Sequence, residues 1–180
     1  MYIFRERRYK KMIFDFYPWK MDVDVEATKQ FYIENDFAKE REVNAKFYEN
    51  MSEKQKNFFI SLGVNAEKIE IEEKMYDIPE ENDMPRAKIH ICSIKFLVCG
   101  KMLSLPDYQK EIYGDEEVFG ETFSDTITVV EMPEGEKLPV FDVDGMGCVF
   151  KHPYFHFDKE VFKQWDCGYV LGTILIMKDL

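Results

Sequence analysis

Apolar residues in the first third of the chain recur at intervals of three and four, which is typical of amphipathic helices. Asp24 is a suitable N-cap for a first helix, and a second helix is predicted from about residue 36 to residue 50. The segment Ser52–Gln55 forms a capping box, which predicts the start of a third helix. Gly63 is placed to end that helix, with Val64 packing back on its last turn.

From about Ile69 onward, apolar and polar residues alternate, which indicates β-strands. The segment 87–99 is the longest strand candidate, and a change of parity near Ser93 predicts a β-bulge. The other strand candidates are 126–132, 138–144, 148–157 and 168–177. The first two of these flank a turn segment and predict a hairpin, whereas Asp158 could cap a short helix.

Helices followed by hairpins favour an α+β fold over alternating βαβ units. We therefore expect N-terminal helices packed on a mainly antiparallel, strongly twisted sheet. Residues 1–11 carry five basic side chains and one acid, and they are interpreted as a basic N-terminal extension. Residues 12–180 are predicted to form a single α+β domain, with enough apolar residues for a packed core.

The charge balance narrows the range of functions. The chain has a net charge of −11, which repels nucleic acid and leaves a basic protein as the expected partner. The longest apolar stretch, 169–177, is too short for a membrane span of about 20 residues, so no membrane association is expected. The four cysteines are interpreted as free thiols, and the protein as cytoplasmic.

A group of metal-binding residue types lies near the C-terminus and predicts a divalent metal site. Its members are Cys148, His152, His156 and Asp158, with Cys167 further along the chain. These side chains bind zinc and similar ions, so the site could support hydrolysis.

Strand geometry limits that metal site. His152 and His156 cannot share an ion from one regular strand, because residues four apart are separated by about 13 Å. His156 and Asp158 could share an ion with a ligand from another strand. The alternative is a half-buried strand in which each histidine makes one hydrogen bond. A second candidate is His90 with Cys92, on one strand face, as a nucleophile pair or simply a core thiol beside a polar residue.

Three stretches carry a resemblance to known proteins: 24–32, 62–68 and 98–101. In that order they resemble a group of small bacterial cytosolic proteins of unknown function. Members of the group often have a cysteine cluster between the first two stretches, and this chain has none there. The resemblance covers about the first 100 residues and implies no activity.

The sequence as a whole favours a non-enzymatic protein-binding module. An immunity protein of a bacterial toxin system is one concrete form, since an acidic surface can cover a basic toxin site. The acidic stretches 67–83 and 115–125 would form the docking face. The alternative is a metal-dependent enzyme centred on the C-terminal cluster.

Overall fold

The computed structural model describes residues 11–79, 87–112, 117–118, 121–122, 127–130, 139–152 and 168–179. The helices are α1 (Val25–Glu34), α2 (Arg41–Asn50) and α3 (Glu53–Ser61). The first strands are β1 (Lys11–Phe16), β2 (Trp19–Asp24), β3 (Glu70–Ile78) and β4 (Ala87–Ser104). Short strands follow, namely β5 (Gln109–Ile112), β6 (Glu117–Val118), β7 (Glu121–Thr122) and β8 (Ile127–Val130). The last strands are β9 (Phe141–Val143), β10 (Met146–Lys151) and β11 (Tyr169–Asp179).

Seven strands form one antiparallel sheet. Its order is β1-β2-β4-β11-β10-β9, and β3 also pairs with β4. Two further ribbons pair β5 with β8 and β6 with β7. Together with the three described helices, this architecture confirms the α+β class and the mainly antiparallel sheet.

Local capping chemistry sets the ends of α1 and α3 as the sequence predicts. Asp24 Oδ1 accepts a hydrogen bond from the Ala27 amide at 2.9 Å. Ser52 and Gln55 make both hydrogen bonds of the capping box. Gly63 has a φ of 78°, the left-handed conformation that glycine adopts without strain. These contacts satisfy backbone groups that a helix end leaves without partners.

The second helix begins five residues later than predicted, at Arg41. Its N-cap, Glu40, makes no side-chain capping hydrogen bond. The preceding segment is instead held by tertiary contacts, since the Phe37 amide donates to the carbonyl oxygen of Lys68 at 2.9 Å. That tertiary hydrogen bond ties residue 37 to the loop after α3, before the helix begins.

One edge of β4 changes partner along its length. β3 pairs with residues 87–95 and β2 with residues 100–104, while β11 occupies the other edge. Between β2 and β3, the Tyr32 hydroxyl of α1 accepts from the Leu97 amide at 2.9 Å and donates to the Leu97 carbonyl at 3.1 Å. The Thr28 hydroxyl accepts from the Cys99 amide. Two side chains of α1 therefore substitute for the missing strand.

Aromatic rings join the helices to the sheet. Phe59 lies edge-on to Phe96 with ring centroids 5.1 Å apart, and Phe58 contacts both Phe96 and Phe150. All four side chains are buried. On β11 the neighbour of Phe96 is Gly172, where a Cβ would overlap the phenyl ring.

We expect Gly172→Ala to lower the free energy of unfolding by about 1–3 kcal/mol, the usual range for overpacking a core. The Phe96 ring cannot move aside because it is enclosed by other aromatic rings. Chemical denaturation measures the change. Phe96→Leu in the Gly172→Ala background should recover part of the loss through favourable coupling. If the effects of the two substitutions on the free energy of unfolding are strictly additive, the contact between position 172 and the Phe96 ring is contradicted.

The bulge predicted near Ser93 is wrong. β4 pairs with β11 in continuous register from Ile89 to Cys99. The apolar positions change from odd to even numbers because Ile89 and Ile91 lie on the opposite face of the sheet from Ile94 and Phe96. Both Ile89 and Ile91 are half-buried there. The observed register shift lies elsewhere, between Lys20 and Met21 of β2.

The hairpin predicted from 126–132 and 138–144 is also wrong. β8 pairs with β5, and β9 pairs with β10. The Asp144-Gly145 turn between β9 and β10 has φ angles of 55° and 83°. Two successive positive φ angles are typical of a type I′ turn, which matches the twist of the flanking strands. The turn chemistry therefore favours β10 as the partner of β9.

The expectation of four free thiols is wrong for Cys99, which is disulfide-bonded. Cys92 and Cys148 are buried and are not part of a disulfide. Disulfides persist mainly in oxidising compartments, so the cytoplasmic location stays a prediction. No described helix is long and apolar enough to cross a membrane.

Candidate binding cleft

A cleft of about 400 Å³ opens among the three helices and the loop that follows α3. Small-molecule sites usually enclose roughly 300–1,000 Å³. α1 supplies Lys29 and Ile33, the end of α2 supplies Tyr48, and α3 supplies Lys56 and Ile60. The loop 63–68 closes the remaining side.

Gly63 places the loop against α1. It reverses the chain after α3, and the Val64 amide donates to the Phe59 carbonyl at 2.9 Å. A Cβ at Gly63 would overlap the carbonyl oxygen of Val25. Glycine therefore permits both the turn and the close approach to the first turn of α1.

Asn65 and Lys68 hold the rest of the loop. The Asn65 side chain accepts from the Glu67 amide at 3.0 Å, and its carbonyl accepts from the Lys68 amide. The Lys68 ammonium donates to the carbonyls of Tyr32 at 2.6 Å and Ile33 at 3.5 Å. These carbonyls lie at the C-terminal end of α1, where a positive charge is favourable.

The cleft has an apolar floor and a mixed rim. The floor consists of buried side chains, namely Tyr32, Phe59, Val64 and Ala66. At the rim, Ile33 is 69% exposed and Ile60 is 56% exposed, which is unusual for such large apolar side chains. Burial raises the pKa of Tyr32, so this phenol stays protonated over the physiological range.

The side chains that line the cleft include more basic than acidic groups. Lys29, Lys56 and Lys68 line it, together with the single acid Glu67. The Lys56 ammonium lies 5.1 Å from the centroid of the Tyr48 ring. The chain as a whole carries −11. The side chains that line the cleft therefore have a basic excess, although the protein as a whole is acidic.

The structure describes only part of the predicted metal cluster. Cys148 is fully buried in β10, and burial raises the pKa of its thiol, which disfavours the thiolate form that binds metals. His152 follows the end of β10, about 13 Å from Cys148 along an extended chain. His156, Asp158 and Cys167 lie outside the described residues. Among the described residues, no group of three or more metal-binding side chains could hold an ion.

His90 and Cys92 lie two residues apart on β4, as the strand prediction requires. The His90 Nε2 atom is 3.8 Å from the Glu73 Oε1 atom on the neighbouring strand β3. Cys92 is buried. His90 is therefore close to the partly exposed carboxylate of Glu73 on the neighbouring strand.

The described acids of the stretch 67–83 are largely paired within the chain. Glu70 accepts from Lys95 at 3.2 Å and lies 3.3 Å from Lys39. Glu72 pairs with Lys39 and with Lys74, and the hydrogen bonds from both lower the pKa of Glu72. These carboxylates are therefore less available to an external cation. The side chains of the second stretch, 115–125, lie outside the described part.

No family model, curated protein sequence or solved structure matches this chain. The cleft is therefore interpreted from its own geometry.

The sequence did not single out the lysines of the cleft. Lys29 and Lys68 lie in two of the stretches that carry the resemblance, and the third stretch, 98–101, contacts α1 through Cys99. The three stretches therefore meet around α1, and two of them line the cleft. The available sequence signal was a basic residue one helical turn before an apolar one, as Lys56 stands three positions before Phe59.

Proposed function

We propose that this protein is a non-enzymatic binding module and that the helical cleft is its ligand site. The observation that carries the proposal is the combination of an apolar floor with two exposed isoleucines at the rim. Ligand sites are typically concave and mainly apolar, with a few polar groups that fix orientation. The cleft has that composition.

The nature of the lining favours binding over catalysis. The described residues that line the cleft include no histidine, cysteine, serine or aspartate. The lining does contain lysine, tyrosine and glutamate side chains, which can act as acids, bases or nucleophiles. No described hydrogen bond joins two of them, and such catalysis usually requires these groups within hydrogen-bond reach of each other. Lysines, tyrosines and apolar side chains instead supply contact area and charge.

The other sequence hypotheses stay proposals. A basic protein partner would have to use acids other than Glu70 and Glu72, which are paired within the chain. The metal-dependent enzyme depends on His156 and Asp158, outside the described residues. The strong twist of the sheet also stays a prediction.

A fragment screen with two matched variants tests the cleft as the ligand site. Ile60 at the rim and Leu175 on β11 are similarly exposed, at 56% and 54%, but only Ile60 lines the cleft. We expect Ile60→Gln to weaken binding of cleft fragments roughly fivefold, because about 1 kcal/mol of apolar contact is lost. Leu175→Gln should leave their affinities unchanged.

The screen uses small aromatic and aliphatic fragments of mixed charge, with affinities measured by titration calorimetry. Both substitutions lie at exposed positions, so both variants should keep the parent's thermal stability. A screen without fragment binding, or equal affinities in both variants, would contradict the proposal.

A further inference from the structure

We propose that the ligand of the cleft is a small amphipathic anion, with a carboxylate held by the lysines and an aliphatic or aromatic body on the apolar floor. This inference rests on the proposed function and adds the chemical class of the ligand. It follows from the positions of three lysines that come from three different elements.

The three lysines that line the cleft come from separate parts of the fold. Lys29 belongs to α1, Lys56 to α3, and Lys68 to the loop after α3. Lys68 is anchored by its hydrogen bonds to the carbonyls of Tyr32 and Ile33, which leave one further N–H donor of the same ammonium. The lining therefore offers ammonium donors on more than one side of the cleft, and hydrogen bonds from ammonium groups to a carboxylate are among the strong ones.

Three exposed acids lie near these lysines, namely Glu26, Glu53 and Glu67, the last of which also lines the cleft. Glu26 lies 2.7 Å from Lys29 and Glu53 lies 3.8 Å from Lys56, each on the same helix as its lysine. Their side chains are 72% and 86% exposed, so water and salt screen both pairs. Exposed pairs of this kind contribute little. A ligand carboxylate can therefore compete for the same ammonium groups.

The apolar floor requires a second, uncharged part in the ligand. Phe59, Val64 and Ala66 are buried beneath the rim and offer no charged contacts. A small inorganic anion would leave that surface wet, whereas an organic carboxylate covers it and gains apolar burial. The half-buried ring of Tyr48 and the exposed side chains of Ile33 and Ile60 would contact such a body.

The test compares three probes of similar shape, namely naphthoate, neutral naphthamide and cationic naphthylmethylammonium. Titration calorimetry on the full chain measures each affinity. We expect naphthoate to bind roughly tenfold more tightly than naphthamide, because several weak charge contacts act together. The cation should bind most weakly. Added salt should weaken naphthoate binding and leave naphthamide binding unchanged.

Two variants on one helix provide the matched control. Lys56 lines the cleft, whereas Lys54 is exposed on α3 and does not line it. Lys56→Gln should weaken naphthoate binding about threefold and Lys54→Gln should not, although both remove one charge.

The outcomes separate this inference from the proposed function. If naphthoate and naphthamide bind equally, and binding still responds to Ile60→Gln, the anionic class is wrong and the cleft remains the ligand site. If no probe binds the cleft, both proposals are contradicted. Preference for the cation would overturn the inference alone.

Discussion

Replacement of Tyr32 by phenylalanine is expected to lower the free energy of unfolding by about 2–4 kcal/mol. The Tyr32 hydroxyl is the partner of both the amide and the carbonyl of Leu97, in a buried position where β4 has neither β2 nor β3 beside it. Phenylalanine would leave two buried backbone groups without these hydrogen bonds. Each such group costs roughly 1–3 kcal/mol.

Urea denaturation measures this change, and Tyr17→Phe is its control. Tyr17 is 84% exposed, so loss of its hydroxyl should change the stability by less than about 0.5 kcal/mol. Hydrogen exchange at the Leu97 amide should also accelerate in Tyr32→Phe. A variant as stable as the parent would show that α1 does not substitute for a strand at this position.

Replacement of Gln109 by methionine is the second substitution with a large expected effect. The Gln109 side chain accepts from the Trp19 indole at 2.6 Å and donates to the Phe150 carbonyl at 3.0 Å. It is buried and joins β5 to β2 and β10. Methionine has a similar volume but makes neither hydrogen bond, so we expect a loss of about 2–4 kcal/mol.

Gln30→Met is the matched control, because Gln30 is exposed and its bond to Glu34 lies on the surface of α1. The control should change the stability by less than about 0.5 kcal/mol. In Gln109→Met the indole proton resonance of Trp19 should also shift, since that proton loses its acceptor. An unchanged resonance together with unchanged stability would refute the role of Gln109 as a bridge between strands.

Features determined by neighbouring residues could be predicted from the sequence. The capping box of Ser52 and Gln55, the N-cap of Asp24 and the turn at Gly63 depend on local backbone chemistry. Strand pairing depends on distant segments, and the hairpin prediction for 126–144 was wrong for that reason. The Asp144-Gly145 turn was a local signal that favoured the observed pairing.

The candidate site could not be predicted because it is assembled from distant segments. Lys29 and Lys68 are separated by a second helix and a third, and only the fold brings them to one cleft. The net charge of the chain pointed to a cationic partner. Composition does not show which lysines line one cleft, so it could not indicate an anionic ligand. The role of Tyr32 likewise depends on a β4 residue far along the chain, Leu97.

Amide chemical-shift mapping during a naphthoate titration tests the central claim most directly, because it locates the ligand without any substitution. The account predicts saturable shifts concentrated at the loop 63–68 and at the facing ends of α1, α2 and α3. Shifts confined to other parts of the described chain, such as the exposed strand β3, or no saturable shifts at all, would contradict the assignment of the cleft as the ligand site.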